Sequence, residues 1–113
     1  MRPSGKLMTV DEATIAKAVD MLRQAADPDK IILFGSYARD QADPGSDLDL
    51  LVVESEVSDA AAEMVRLMRV LSPLRIPADV LVVSRQDYAR WRDTPGHVFF
   101  EAAKEGRVLY EAA

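Results

Sequence analysis

The stretch Phe34-Gly35-Ser36-Tyr37-Ala38-Arg39, followed by Ser46-Asp47-Leu48-Asp49-Leu50-Leu51-Val52-Val53, decides how this chain folds. Aspartate is depleted in strands because its short polar side chain competes for backbone hydrogen bonds. Here two aspartates stand two apart in an otherwise apolar run. Strand periodicity puts Asp47 and Asp49 on one face and Leu48 and Leu50 on the other, with the acids' Cα atoms roughly 6.6 Å apart. Carboxylates that close repel each other, so the pattern is costly unless a cation or solvent offsets it. Hard oxygen donors favour Mg²⁺ or Mn²⁺.

Upstream, Gly35-Ser36 sits where a strand (Lys30 to Phe34) turns toward the first turn of a short helix at Tyr37-Ala38-Arg39. Glycine lets a ligand approach the backbone closely, and a helix start offers free N–H donors that suit phosphate. The Ser36 hydroxyl can donate to a phosphate oxygen, and Arg39, one turn on, adds a fork of donors. Downstream, Asp79 opens a third apolar strand, Ala78 to Val83. If that strand lies beside the one carrying Asp47 and Asp49, three carboxylates meet near one point. Read singly, Ser36 is a helix cap, Arg39 a surface residue, Asp47 a turn cap and Asp79 a strand-edge group. Asp49, flanked by Leu48, Leu50, Leu51 and Val52, resists such a reading.

Around these strands the periodicity predicts helices. Apolar residues from Ile15 to Ala26 recur at helical spacing, so a helix runs from Val10 to Ala26, opened by a Thr9/Glu12 capping box and stopped at Asp27-Pro28. Pro44-Gly45 marks a turn in the loop that follows the phosphate cradle. Ser58 caps a second helix running to Leu71, and Ser84 with Asp87 opens a short third one through Trp91. Thr94-Pro95 starts the last helix, Gly106 ends it, and Arg107 to Tyr110 forms a final strand. The order is that of an α/β (α+β) domain, a small mixed β-sheet with flanking helices, spanning 1–113 as one unit.

Composition narrows the function. Hydrophobic residues make up 49% and charged residues 29%, an ordinary globular balance. Lys and Arg total 14 against 19 Asp and Glu, a net charge of −5, which disfavours a nucleic-acid or membrane-surface binder but not a small anion held by a local cluster. The absence of cysteine excludes disulfides and zinc–thiolate sites and fits a cytoplasmic setting. No apolar run approaches membrane-spanning length, and nothing at the N-terminus reads as a secretory signal. The single histidine, His97, reads as a surface residue, Tyr88 and Trp91 as cover for the core edge, the methionines as core filler, and Arg66, Arg69, Arg85, Arg90 and Arg92 as a solvated face.

The pattern Gly-Ser, ten residues, Asp-x-Asp, then a lone Asp on a later strand resembles the polymerase-β-like nucleotidyltransferase superfamily. Gly35-Ser36-Tyr37-Ala38-Arg39 and Ser46-Asp47-Leu48-Asp49-Leu50 are closest to its small branch, the minimal nucleotidyltransferases, and the Phe100 to Glu111 ending is similar too. The resemblance implies that Asp47, Asp49 and Asp79 bind two Mg²⁺ ions and carry catalysis, Asp79 assisting as general base. It implies that Gly35 and Ser36, with Arg39 nearby, hold the triphosphate of a nucleoside triphosphate, ATP by expectation. The two metals would clamp an in-line attack on the α-phosphate, with pyrophosphate leaving. Small members of this branch are commonly paired with a helical HEPN-type toxin and act as its antitoxin, in some cases by transferring AMP to a tyrosine. A hetero-oligomer with such a partner is therefore expected, because a chain this short has little surface for enclosing an acceptor. Two other readings remain open: a catalytically silent antitoxin that neutralises by complex formation, and a small-molecule transferase of the aminoglycoside-modifying kind. One residue departs from the pattern. Asp40 stands where the family has glycine, which puts a carboxylate near the cradle and a side chain in a tight turn.

Overall fold

A computed structural model describes residues 10–43 and 45–113. Thr9 and Pro44 lie outside the described residues, and with them the Thr9 half of the expected capping box and the proline of the expected turn. The elements run α1 (Glu12–Ala26), β1 (Lys30–Phe34), β2 (Leu48–Glu54), α2 (Ala60–Leu71), β3 (Ala78–Ser84), α3 (Arg85–Trp91), α4 (Val98–Glu105) and β4 (Arg107–Glu111). The sheet order is β3-β2-β1-β4. Strand β1 is antiparallel to both β2 and β4, while β2 and β3 are parallel. The sheet is therefore small and mixed with flanking helices, and β3, which carries Asp79, lies directly beside β2.

The apolar runs in β1, β2 and β3 are nearly continuous because both faces of the sheet are covered. Ile31, Leu33, Leu48, Leu50, Val52, Val80 and Val82 face one core with Ile15, Leu22 and Leu67 from α1 and α2. Ile32, Leu51, Val53 and Val83 face a smaller core with Tyr88 of α3 and Ala102 of α4. Each fully buried leucine or isoleucine contributes about 1.5–3 kcal/mol relative to exposure.

Helix boundaries differ from the sequence expectation in instructive ways. The cap of α1 is Asp11, whose carboxylate accepts from the Thr14 amide at 2.8 Å. Glu12, the first residue of the helix, pairs with Arg107 of β4 at 3.2 Å. Asp59, not Ser58, caps α2 by accepting from the Ala62 amide at 3.1 Å. Helix α3 is capped by Ser84 as expected. The last helix begins at Val98 rather than at Thr94-Pro95, because the His97 amide closes a turn on the Thr94 carbonyl (3.1 Å) and His97 Nδ1 accepts from the Phe99 amide (3.1 Å). His97 is thus a half-buried cap, its ring stacked on Trp91 at 5.2 Å. Gly106 ends α4, but in extended conformation. Its role is close approach: a Cβ there would meet Ile32 Cγ2 at 2.6 Å and the Leu33 carbonyl oxygen at 3.0 Å.

At the far end of β2, Glu54 and Glu63 of α2 lie with their carboxyls in hydrogen-bonding reach. Arg66 grips Glu63 with two bonds (2.8 and 2.7 Å) and donates to the Ala25 carbonyl of α1 (3.1 Å). Burial and the Glu63 charge push the Glu54 carboxyl up to about 7, while Arg66 holds Glu63 low. Among the described residues the buried Glu54 Oε2 has no hydrogen-bond partner.

Candidate active site

Strand β2 begins one residue later than expected, at Leu48, whose amide donates to the Pro77 carbonyl at 2.8 Å. That bond sets the parallel register, Leu48 against Ala78 and Asp49 against Asp79. Neighbouring strands run about 4.8 Å apart, so two carboxylates face each other across one rung. On its other side Asp49 pairs with Phe34, the last residue of β1. Asp49 is half-buried, while Asp79 and Asp47 are exposed. Asp47 precedes the strand, at its mouth.

Phe34 leads straight into Gly35, which has a φ of 75° and begins a three-residue 3-10 turn, Gly35–Tyr37. This turn replaces the expected helix start at Tyr37-Ala38-Arg39. The amides of Ala38, Arg39, Asp40 and Gln41 are all taken up by carbonyls within it. A Cβ on Gly35 would collide with the Asp49 carboxylate, 3.3 Å from its Cγ. The glycine therefore serves two needs at once, a left-handed backbone and room for Asp49. The glycine turn and Asp49 are thus in direct contact.

The electrostatics agree with this contiguity. Burial pushes the Asp49 carboxyl up, and the charges of Asp79 and then Asp47 push it further, against the Arg39 guanidinium. Arg39 is thus near enough to act on Asp49. Its Nε donates to Gln41 (3.2 Å) and its guanidinium pairs with Glu105 of α4 at 3.6 Å. Sequence reasoning found Arg39 but missed Glu105, which only the docking of α4 brings to it. Ser36 is half-buried, next to Gly35 in the turn. Asp40 takes the left-handed conformation, φ 56°, that the family's glycine would take. Its side chain borders a hollow with Glu12, Tyr37 and Arg107, away from Asp49 and Asp79.

A groove of about 590 Å³ opens from Asp49 and Asp79 around the free edge of β3, walled by Phe34, Leu81, Met64, Val65 and Met68. Met21 and Met64 pack against the core as expected of filler, but Met68 is 38% exposed. Hard carboxylate oxygens repelling one another beside a half-buried acid suit a magnesium-type cation, which would offset that repulsion. Among the described residues no three acidic or histidine side chains stand close enough to form a ready-made metal cluster.

An acid pair on adjacent parallel strands, over a glycine turn that leaves one strand for the next, defines a nucleotidyltransferase domain. A model of the family "Polymerase beta, Nucleotidyltransferase" matches residues 16–113, and the chain belongs to that family. The fold is shared with several solved structures. A protein of Sulfolobus solfataricus described as a nucleotidyltransferase superposes with a TM-score of 0.62 at 18% identity, over 88% of this chain and 78% of the other. A toxin–antitoxin complex with AMP-PNP gives 0.62 at 21%, over 91% and 75%. An MNT antitoxin in complex with a tri-AMPylated HEPN toxin of Shewanella oneidensis gives 0.57 at 21%, over 89% and 72%. No curated protein matches the chain. Among the described residues no helix is long and apolar enough to cross a membrane.

Proposed function

We propose that this nucleotidyltransferase transfers AMP from ATP, with Mg²⁺, to a tyrosine hydroxyl on a HEPN-type helical partner, acting as that partner's antitoxin. The observation that carries this reading is the rung shared by Asp49 and Asp79, with the Asp49 carboxylate lying over Gly35. The AMP-PNP and AMPylated-toxin complexes of proteins with this fold support the nucleotide and the partner. The net charge of −5 supports a protein acceptor over a nucleic acid.

In this reading Gly35 and Ser36 receive the triphosphate, the glycine by leaving the backbone bare and Ser36 by donating its hydroxyl. Arg39, released from Glu105, adds charge to the phosphates. Asp49 and Asp79 form the paired core of the cation site, and Asp47 at the strand mouth completes it. Bound there, Mg²⁺ supplies charge neutralisation at the phosphates and acidifies the acceptor hydroxyl. A tyrosine hydroxyl ordinarily loses its proton near pH ~10. Asp79, exposed at the groove, takes that proton as the oxygen attacks the α-phosphorus and pyrophosphate leaves.

The test is incubation of a HEPN-type helical protein from the same source with this chain, labelled ATP and Mg²⁺, followed by mass spectrometry. The partner should gain AMP on tyrosine only when nucleotide, cation and the three acids are all present. A partner neutralised equally well by a chain with Asp47, Asp49 and Asp79 all changed to Asn, and found unmodified, would establish a silent antitoxin instead.

A further inference from the structure

The apolar groove beside the acids continues onto a helix that the sheet leaves half uncovered. Strand β3 is an edge strand, and α2 packs against it from one side. Val65 and Met68 of α2 are 45% and 38% exposed. Val65 stands on the ridge between the groove holding Asp49 and Asp79 and a second apolar hollow of about 620 Å³, lined by Ala62, Arg66, Arg69 and Val70. Arg66 is engaged by Glu63, whereas Arg69 makes no ion pair among the described residues. The surface is therefore an apolar ridge with the acids Asp49 and Asp79 on one side and Arg69 on the other.

We propose that the acceptor protein docks on this ridge through an apolar segment bearing carboxylates, with Val65 and Met68 as anchors and Arg69 as the charge partner. The proposal rests on the nucleotidyl-transfer reading above and names the surface that presents the acceptor to it. Three observations select this occupant. The groove is continuous with Asp49 and Asp79, so whatever fills it lies beside the reacting hydroxyl. Its walls are apolar, and a polyhydroxylated small molecule would lose hydration there without regaining hydrogen bonds. Beyond the Val65 ridge, on the side away from Asp49 and Asp79, the second hollow offers Arg69 without an ion-pair partner among the described residues, a cation that a carboxylate on the docked segment would meet.

The experiment compares three acceptors under labelled ATP and Mg²⁺: a tyrosine peptide flanked by Leu and Glu, one of equal length flanked by Ser and Lys, and tyrosinamide, too small to span the groove. The Leu/Glu peptide should be labelled about tenfold more efficiently than the Ser/Lys peptide, with the difference in KM rather than kcat. Val65→Glu should collapse that ratio, and Val65→Ser, which adds no charge, should reduce it in the same direction. Arg69→Glu should shift preference toward the Lys peptide. Equal labelling of the two peptides, or a preference that survives both Val65 variants, overturns the proposal. So does sedimentation showing a dimer that Val65→Glu dissociates, since the ridge would then be covered by a second copy. Tyrosinamide labelling separates the failures. If it is labelled while the peptides are not distinguished, the docking surface is wrong and the transfer reading stands. If the chain neither binds ATP nor labels any acceptor, the transfer reading fails and the proposal with it.

Discussion

Asp49 and Asp79 are Cα partners on one rung of the parallel β2–β3 ladder, so the fold places two carboxylates side by side where the chain gains nothing in stability from them. Like charges opposite each other on a sheet cost about 0.2–1 kcal/mol. Asp49→Asn should therefore leave the cation-free protein as stable as the parent, or more stable by about that amount, in urea denaturation. The same substitution should abolish Mg²⁺-dependent transfer. A loss of stability without Mg²⁺ would mean that Asp49 has a structural partner.

Gly35 answers for two constraints, and a single methyl group tests both. Gly35→Ala puts a side chain at φ 75° and against the Asp49 carboxylate. The strained backbone costs about 1–3 kcal/mol, read as a drop in melting temperature. ATP affinity in the presence of Mg²⁺, by titration calorimetry, should fall because Asp49 is displaced as well as the phosphate. Unchanged affinity would show that neither group sits at this turn.

Asp40 tests the one departure from the family pattern. It holds a left-handed conformation that glycine adopts freely, and its side chain borders a hollow away from the acids. Asp40→Gly should change stability by no more than about 1 kcal/mol, relief of the backbone offsetting the freer unfolded chain. ATP binding should be equal or tighter. Weaker binding would assign the Asp40 carboxylate a positive role.

The Glu54–Glu63 pair sets a pH dependence. The Glu54 carboxyl titrates near 7 in the fold, above its ordinary value of 4.5, so its contribution is intact below about 4.5 and is lost as pH rises through 7. Glu63, held low by Arg66, contributes above 4.5 and loses its contribution only in strong acid. Glu54→Gln should leave stability near pH 5 almost unchanged and raise it at pH 8 by about 1–2 kcal/mol, because a neutral amide replaces a charge facing Glu63. Denaturation at the two pH values measures the difference, and carboxyl carbon resonances report the titration directly. A Glu54→Gln effect that is the same at pH 5 and pH 8 would contradict the raised titration of Glu54.

Much of this was legible in the residues, for physical reasons. The strands Lys30–Phe34, Leu48–Glu54 and Ala78–Ser84 carry the apolar runs Ile31–Leu33, Leu50–Val53 and Val80–Val83, which are covered from both faces of the sheet and so read as strands from their composition. The acid pair stood out because an apolar strand tolerates Asp49 only for a reason. The helix starts were less legible. Ser58 and Asp59 can both cap, and the backbone entering α2 selects Asp59. Pro95 signals a helix start, yet His97 takes that place with a ring nitrogen. The groove wall was not legible at all. Met64 and Met68 stand at core spacing, and only the sheet order, which makes β3 an edge, leaves Met68 and Val65 open.

The two cores flanking the sheet are unequal, and the acids stand on the face of the smaller one, with Leu51, Val53 and Tyr88 beneath α3 and α4. A layer held by few apolar contacts opens locally at lower free energy than one packed as α1 and α2 are. Amide hydrogen exchange should therefore form a hierarchy, with α4 giving up its protons before α1. Because Glu105 of α4 pairs with Arg39, each such opening also releases the guanidinium that lowers the Asp49 carboxyl against its acidic neighbours. Under the proposed function, a nucleotide that recruits Arg39 away from Glu105 should loosen α4, measured as faster amide exchange in that helix.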